Sequence, residues 1–137
     1  MKKQLNILFI DSAVDVLWYE IITKRLSEIP DVGFNILYGE VAETTKHISD
    51  AHLVLCDASF FIKQPQTMKL LMESAPDCWF AVFSVTDDSN YEEIDKALEL
   101  GVKHTIYKTR SFRPVLLELV KEYLDSENVS EGTGFTN

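Results

Sequence analysis

His52-Leu53-Val54-Leu55-Cys56-Asp57 is a short apolar run closed by one carboxylate and followed by the small residues Ala58-Ser59. A run of this length, rich in branched residues, predicts a strand buried on both faces of a parallel sheet. Asp57 then stands at the carboxyl end of a strand, where open α/β sheets bind ligands and carry out chemistry. Two readings compete for it: a working carboxylate, or a residue that closes a turn.

Upstream, Leu5 to Ile10 is a first strand that also ends on an acid, Asp11. Ser12-Ala13-Val14-Asp15 has the form of a helix N-cap with a carboxylate in the first turn. Val14, Leu17, Trp18, Ile21, Ile22, Leu26 and Ile29 recur at helical spacing, so a helix is expected from about residue 13 to 28. Pro30-Asp31-Val32-Gly33 stops it, Phe34 to Tyr38 is a second strand, and Glu40 to Ile48 is a mostly polar helix.

Downstream, Phe60 to Pro65 reads as a loop with an unusual apolar load. Phe60, Phe61 and Ile62 would serve as a lid, as a patch offered to a partner, or as packing for the next helix. That helix spans Gln66 to Ser74, and Cys78 to Val85 is a fourth strand. Ser89-Asn90-Tyr91-Glu92 is a capping box opening a helix that runs to Leu100 and ends on Gly101. His104 to Tyr107 is a fifth strand with Lys108 at its end, and Ser111 caps a last helix through Leu124. Residues 1–125 form one domain, and 126–137 read as a flexible tail or linker.

Five strands alternating with helices predict an α/β fold, a (βα)5 doubly wound parallel sheet. Strand order 2-1-3-4-5 is the common solution, with its switch point between the strands that end on Asp11 and Asp57.

Composition sets the class of partner. The chain has 137 residues, 46% hydrophobic, and a net charge of -9 without a cluster of Lys and Arg. A globular domain follows, and direct nucleic-acid binding is disfavoured because phosphate contacts need a concentrated basic surface. Cys56 and Cys78 lie in apolar strands and read as buried thiols of a reducing compartment. The first apolar run is too short for a signal-peptide core or a membrane span, so the expected location is cytoplasmic. His47, His52 and His104 are dispersed, without metal-ligand spacing, and read as surface or strand-edge residues; Trp18 and Trp79 read as core.

Asp11, Asp57, Thr86 and Lys108 thus fall at strand ends on one edge of the sheet. Adjacent carboxylates repel unless a cation compensates, and a hard ion such as Mg²⁺ suits oxygen ligands. A phosphoryl group on Asp57 would gain a hydroxyl donor from Thr86 and a charge partner from Lys108. With Gly101 ahead of the fifth strand, these residues resemble the receiver domain of two-component response regulators over residues 5–124. The resemblance implies a CheY-like, flavodoxin-like fold with Asp57 as phosphoacceptor, Thr86 as switch hydroxyl and Lys108 as phosphate contact. Ser84 is a second candidate for the hydroxyl. It also implies Mg²⁺ held by Asp11, Asp57 and the Ser59 backbone carbonyl. The expected partners are a histidine kinase or phosphotransfer protein, and an effector or second copy on the face of helix four, strand five and helix five. Enzymatic activity would extend at most to self-phosphorylation and autodephosphorylation at Asp57.

The chain departs from the family pattern at several points. Ser12 stands where the family has a second metal-binding acid, which weakens the expectation of Mg²⁺. Asp87 replaces the small residue after the hydroxyl, Thr105 the switch aromatic, and Thr109 the proline after the lysine. These changes support an alternative: a phosphorylation-independent pseudo-receiver that acts as an interaction module. A phosphatase of the haloacid-dehalogenase type would need an acid two residues after Asp57, and Ser59 stands there. No Gly-rich phosphate loop follows strand one.

Overall fold

The computed structural model describes residues 3–11, 16–39, 45–84, 91–107 and 112–126. Its strands are β1 (Lys3–Ile10), β2 (Val32–Gly39), β3 (Leu53–Asp57), β4 (Trp79–Ser84) and β5 (His104–Tyr107). Its α-helices are α1 (Val16–Leu26), α2 (Phe60–Lys63), α3 (Pro65–Ser74), α4 (Tyr91–Glu99) and α5 (Phe112–Asp125), with a 3-10 helix at Thr45–Asp50. The strands form one sheet in the order β2-β1-β3-β4-β5, and every pairing is parallel. The expected topology is the observed one.

Burial explains why the central strands are so apolar. Leu5 to Ile10, Leu53 to Cys56 and Phe80 to Ser84 are buried, whereas β2 and β5 at the sheet edges are half-buried. Alternate side chains enter two separate cores. Leu5, Ile7, Phe9, Leu53, Leu55, Ala81 and Phe83 pack with α1 and α5. Leu8, Ile10, Val54, Cys56, Phe80 and Val82 pack with α2, α3 and α4. Helices therefore cover both faces, as a parallel sheet requires.

Several boundaries moved. β2 begins at Val32 instead of Phe34, because Asp31 turns the chain with a φ of 64°, a left-handed conformation that Asp tolerates better than most residues. The polar helix expected over 40–48 contributes a 3-10 helix at Thr45–Asp50, and 40–44 lie outside the described residues. Phe60–Lys63 is a helical turn, not a loop: the Ser59 and Phe60 carbonyls accept the Lys63 and Gln64 N–H groups at 3.0 and 2.8 Å. Phe60 and Phe61 are buried in the second core, so their apolar load is packing, while Ile62 stays exposed.

The end of α4 meets the expectation for Gly101 in detail. The Gly101 N–H donates to the Leu98 carbonyl at 3.0 Å and the Val102 N–H to the Ala97 carbonyl at 3.1 Å, with Gly101 at φ 110°. This is a Schellman ending, with Val102 carried into the core behind it. It delivers the chain to β5.

Candidate functional site at the carboxyl edge of the sheet

β1 and β3 are neighbours, and their last registered pair is Ile10 with Cys56. The next residues are Asp11 and Asp57, which places the two carboxylates side by side at the switch point. The Asp11 N–H donates to the Gly39 carbonyl at 3.1 Å, so the β1–β2 ladder runs one residue past the strand. Strand alternation carried through this residue sets Asp11 on the face of Phe9, and Asp57 on the face of Leu55. Both acids share the α1 and α5 side of the sheet.

Beneath them lies an aromatic floor. Phe83 is registered opposite Asp57. It packs edge-on with Phe9 at 5.2 Å, Trp18 at 5.4 Å and Phe112 at 5.5 Å, and Trp18 meets Phe112 at 5.3 Å. Such pairs contribute about 0.5–1.5 kcal/mol each beyond their buried area. They tie the strand beside Asp57 to the helices after Asp11 and after Lys108. The strand parity of Phe9 and Phe83 was readable from sequence, but their partners on α1 and α5 were not.

Electrostatics mark the same place. Asp11 is buried at 3% exposure, and Asp57 is half-buried. Burial above all, then the charges of Asp57 and Asp11, push the Cys56 thiol well above the usual range. Cys56 is fully buried and held as an inert core thiol; Cys56 and Cys78 are both free.

Two observations concern Ser59. Its backbone N–H donates to Asp57 Oδ1 at 2.9 Å, which closes a turn after β3. Its carbonyl accepts the N–H groups of Ile62 at 3.2 Å and Lys63 at 3.0 Å. A metal that took this carbonyl would compete with both helical bonds. The Ser59 hydroxyl oxygen, by contrast, is buried with no hydrogen-bond partner. Asp11 and Asp57 suit a hard cation as oxygen donors, whereas the Ser59 carbonyl is already engaged. Among the described residues no group of three His, Cys, Asp or Glu side chains is arranged to hold a metal.

Of the predicted site residues, Asp11, Asp57 and Ser59 are brought together. Ser84 is buried at the carboxyl end of β4, where Tyr107 is its neighbour on β5. Strand alternation puts it on the α2–α4 side, with Val82. Ser12, Thr86, Asp87, Lys108 and Thr109 lie outside the described residues. The histidines belong elsewhere: His52 and His104 sit at the amino ends of β3 and β5, the opposite rim from Asp57.

No family model matches the sequence, and no curated protein matches it. Solved structures do. A response regulator from Thermotoga maritima superposes with a TM-score of 0.70 at 21% identity, covering 89% of this chain and 98% of that one. The isolated receiver domain of RcsB from Salmonella enterica serovar Typhimurium gives 0.66 at 16% identity, covering 95% and 92%. The fold is that of a response-regulator receiver domain. A putative pilus assembly protein from Burkholderia thailandensis shares this receiver fold, with a TM-score of 0.68 at 12% identity over 88% and 98% of the two chains. Among the described residues, no helix of this receiver fold is long and apolar enough to cross a membrane.

Proposed function

We propose that the chain is a divergent receiver domain that accepts a phosphoryl group on Asp57 and signals through a protein partner or a second copy. The observation that carries this reading is the pairing of Asp11 with Asp57 at the switch point of a 2-1-3-4-5 sheet. In the proposed transfer an Asp57 oxygen attacks the phosphorus of a phosphohistidine on a kinase or phosphotransfer protein. The O–P bond forms, the N–P bond breaks, and the imidazole leaves. Mg²⁺ held by Asp11 and Asp57 would offset the negative charge gathered there. Thr86 and Lys108 complete the proposed site as hydroxyl donor and charge partner. Output would pass through the face of α4, β5 and α5, where Leu98 is an exposed apolar side chain.

Incubation with acetyl phosphate and Mg²⁺, followed by intact mass measurement, tests the proposal. One added phosphoryl group on the wild type and none on Asp57→Ala is the expected result. No addition, or equal addition to both, would sink it.

A pseudo-receiver is the second reading, and the surroundings of Ser59 favour it. Asp57 Oδ1 already accepts the Ser59 N–H, and the Ser59 carbonyl is already engaged by α2. On this reading Asp57 closes a turn, and the cytoplasmic partner is bound without phosphorylation. Asp57→Asn should then bind that partner with unchanged affinity.

A further inference from the structure

We propose that the open edge of β2 pairs antiparallel with the β2 edge of a second copy of this chain, about a two-fold axis through Asn35, joining the two sheets into one. The direction of the main-chain groups is the starting point. The Gly39 carbonyl accepts the Asp11 N–H of β1, so the odd-numbered residues of β2 turn their N–H and C=O groups toward β1. Val32, Phe34 and Ile36 turn theirs away from it, and β2 is the last strand of the sheet on that side. Among the described residues, nothing hydrogen-bonds these outward groups.

The two edges of the sheet are not alike. β5 is four residues long and follows Lys103, a short edge beside a charge. β2 is eight residues long, and from Val32 to Gly39 it contains neither a charged residue nor a proline. Long edges that lack these features template pairing with another strand. In a chain of net charge -9, an uncharged edge of this length is a local exception. Val32 to Tyr38 are half-buried, so β2 is not sealed over as the inner strands are.

Symmetry selects the occupant and the register. A strand paired antiparallel with its own copy makes an isologous contact, which closes after two chains. Opposed residues of such a pair share a face of the sheet, so the axis must pass through a residue. Centred on Asn35, it sets Phe34 opposite Ile36 and Val32 opposite Tyr38, in pairs that exchange both main-chain bonds. A centre on Phe34 would set Tyr38 against Pro30, which has no N–H, and a centre on Ile36 would set Val32 against Glu40, beyond the strand. Phe34 and Ile36 both pack against the first core, so the seam brings their apolar side chains together on the α1 and α5 side. An unrelated peptide could meet the backbone groups but not this reciprocity. β2 and β5 are opposite ends of the sheet, so the face of α4, β5 and α5 stays open in the dimer.

Sedimentation equilibrium of the full chain, joined to oxidative cross-linking of cysteine variants, tests the pairing. The wild type should show a reversible monomer–dimer equilibrium in the micromolar range that tightens as salt screens the like net charges. Ile36→Pro removes an outward N–H at an edge position that tolerates proline, and should weaken the dimer by about tenfold or more while circular dichroism stays native. Asn35→Cys meets its own copy across the axis with Cα atoms about 4.5 Å apart, within disulfide range, so mild oxidation should link two chains. Leu37→Cys meets Gly33 instead and should not link; this pair of variants decides the matter if Ile36→Pro fails to fold. A wild type that stays monomeric into the millimolar range, cross-linking of neither variant or of both alike, or a dimer that folded Ile36→Pro leaves intact would overturn the proposal.

Discussion

The imidazole Nδ1 of His52 accepts the backbone N–H of Asn6 at 2.9 Å, while the His52 N–H donates to the Asn6 carbonyl at 2.9 Å. The same residue's carbonyl accepts the Trp79 N–H at 3.0 Å, and its ring lies 6.0 Å from that of Tyr123. Through its backbone and its ring together, this half-buried residue joins β1, β4 and α5 at the start of β3. Its Nδ1 must be unprotonated, since a proton there would face another donor.

Acid should therefore loosen this rim. Burial lowers the His52 pKa below its ordinary value, and burial likewise lowers that of His104. The unfolded chain then binds more protons than the folded one at mildly acidic pH, so stability rises with pH in that window. The contribution is complete above the unfolded value of about 6.5 and is lost as pH falls from there toward the lowered folded value. Urea midpoints measured from neutral to acidic pH check this: His52→Asn, whose amide oxygen can accept the Asn6 N–H, should show a shallower pH slope. An unchanged slope would remove His52 from the account.

Gly101→Ala should destabilise the protein by about 1 kcal/mol through backbone strain, not crowding. The φ of 110° is unfavourable for any side chain, although the nearest atom to an added Cβ is 3.8 Å away. Thermal unfolding of the variant measures the loss, and a neutral outcome would mean that α4 can end another way.

Phe83→Ala should be far more costly, about 3–5 kcal/mol, because Phe83 is fully buried and touches three other aromatic rings. Phe83→Leu should lose less, having the smaller cavity. Denaturant unfolding with the fluorescence of Trp18, which packs on Phe83, reports both.

Thiol reactivity should follow burial. Cys56 is fully buried and Cys78 half-buried, with the latter's thiol pushed up to about 12. Native protein at mildly alkaline pH should react slowly and at Cys78 first, with Cys56 labelled only on unfolding. Peptide mass mapping after timed alkylation would expose any reversal of this order.

Much of the fold was legible because its signals are local. Apolar runs ending on Asp11 and Asp57, helical spacing between them, and the glycine after α4 suffice to predict the parallel sheet and its order. Phe60 and Phe61 were not legible in this way: a short apolar run after β3 reads equally as a lid or as packing, and only the second core distinguishes the two. The same limit applied to Ser59, whose carbonyl is engaged because the chain turns helical at once.

By itself, the sequence determined the alternation of strands and helices and which acids end the central strands, because periodicity and chain direction depend only on neighbours in sequence. Tertiary structure alone decided that Asp11 and Asp57 share one face over Phe83, and that Trp79 stacks on His104 at the far rim. Those relations join residues far apart in the chain, so register and packing set them, and no local pattern encodes them.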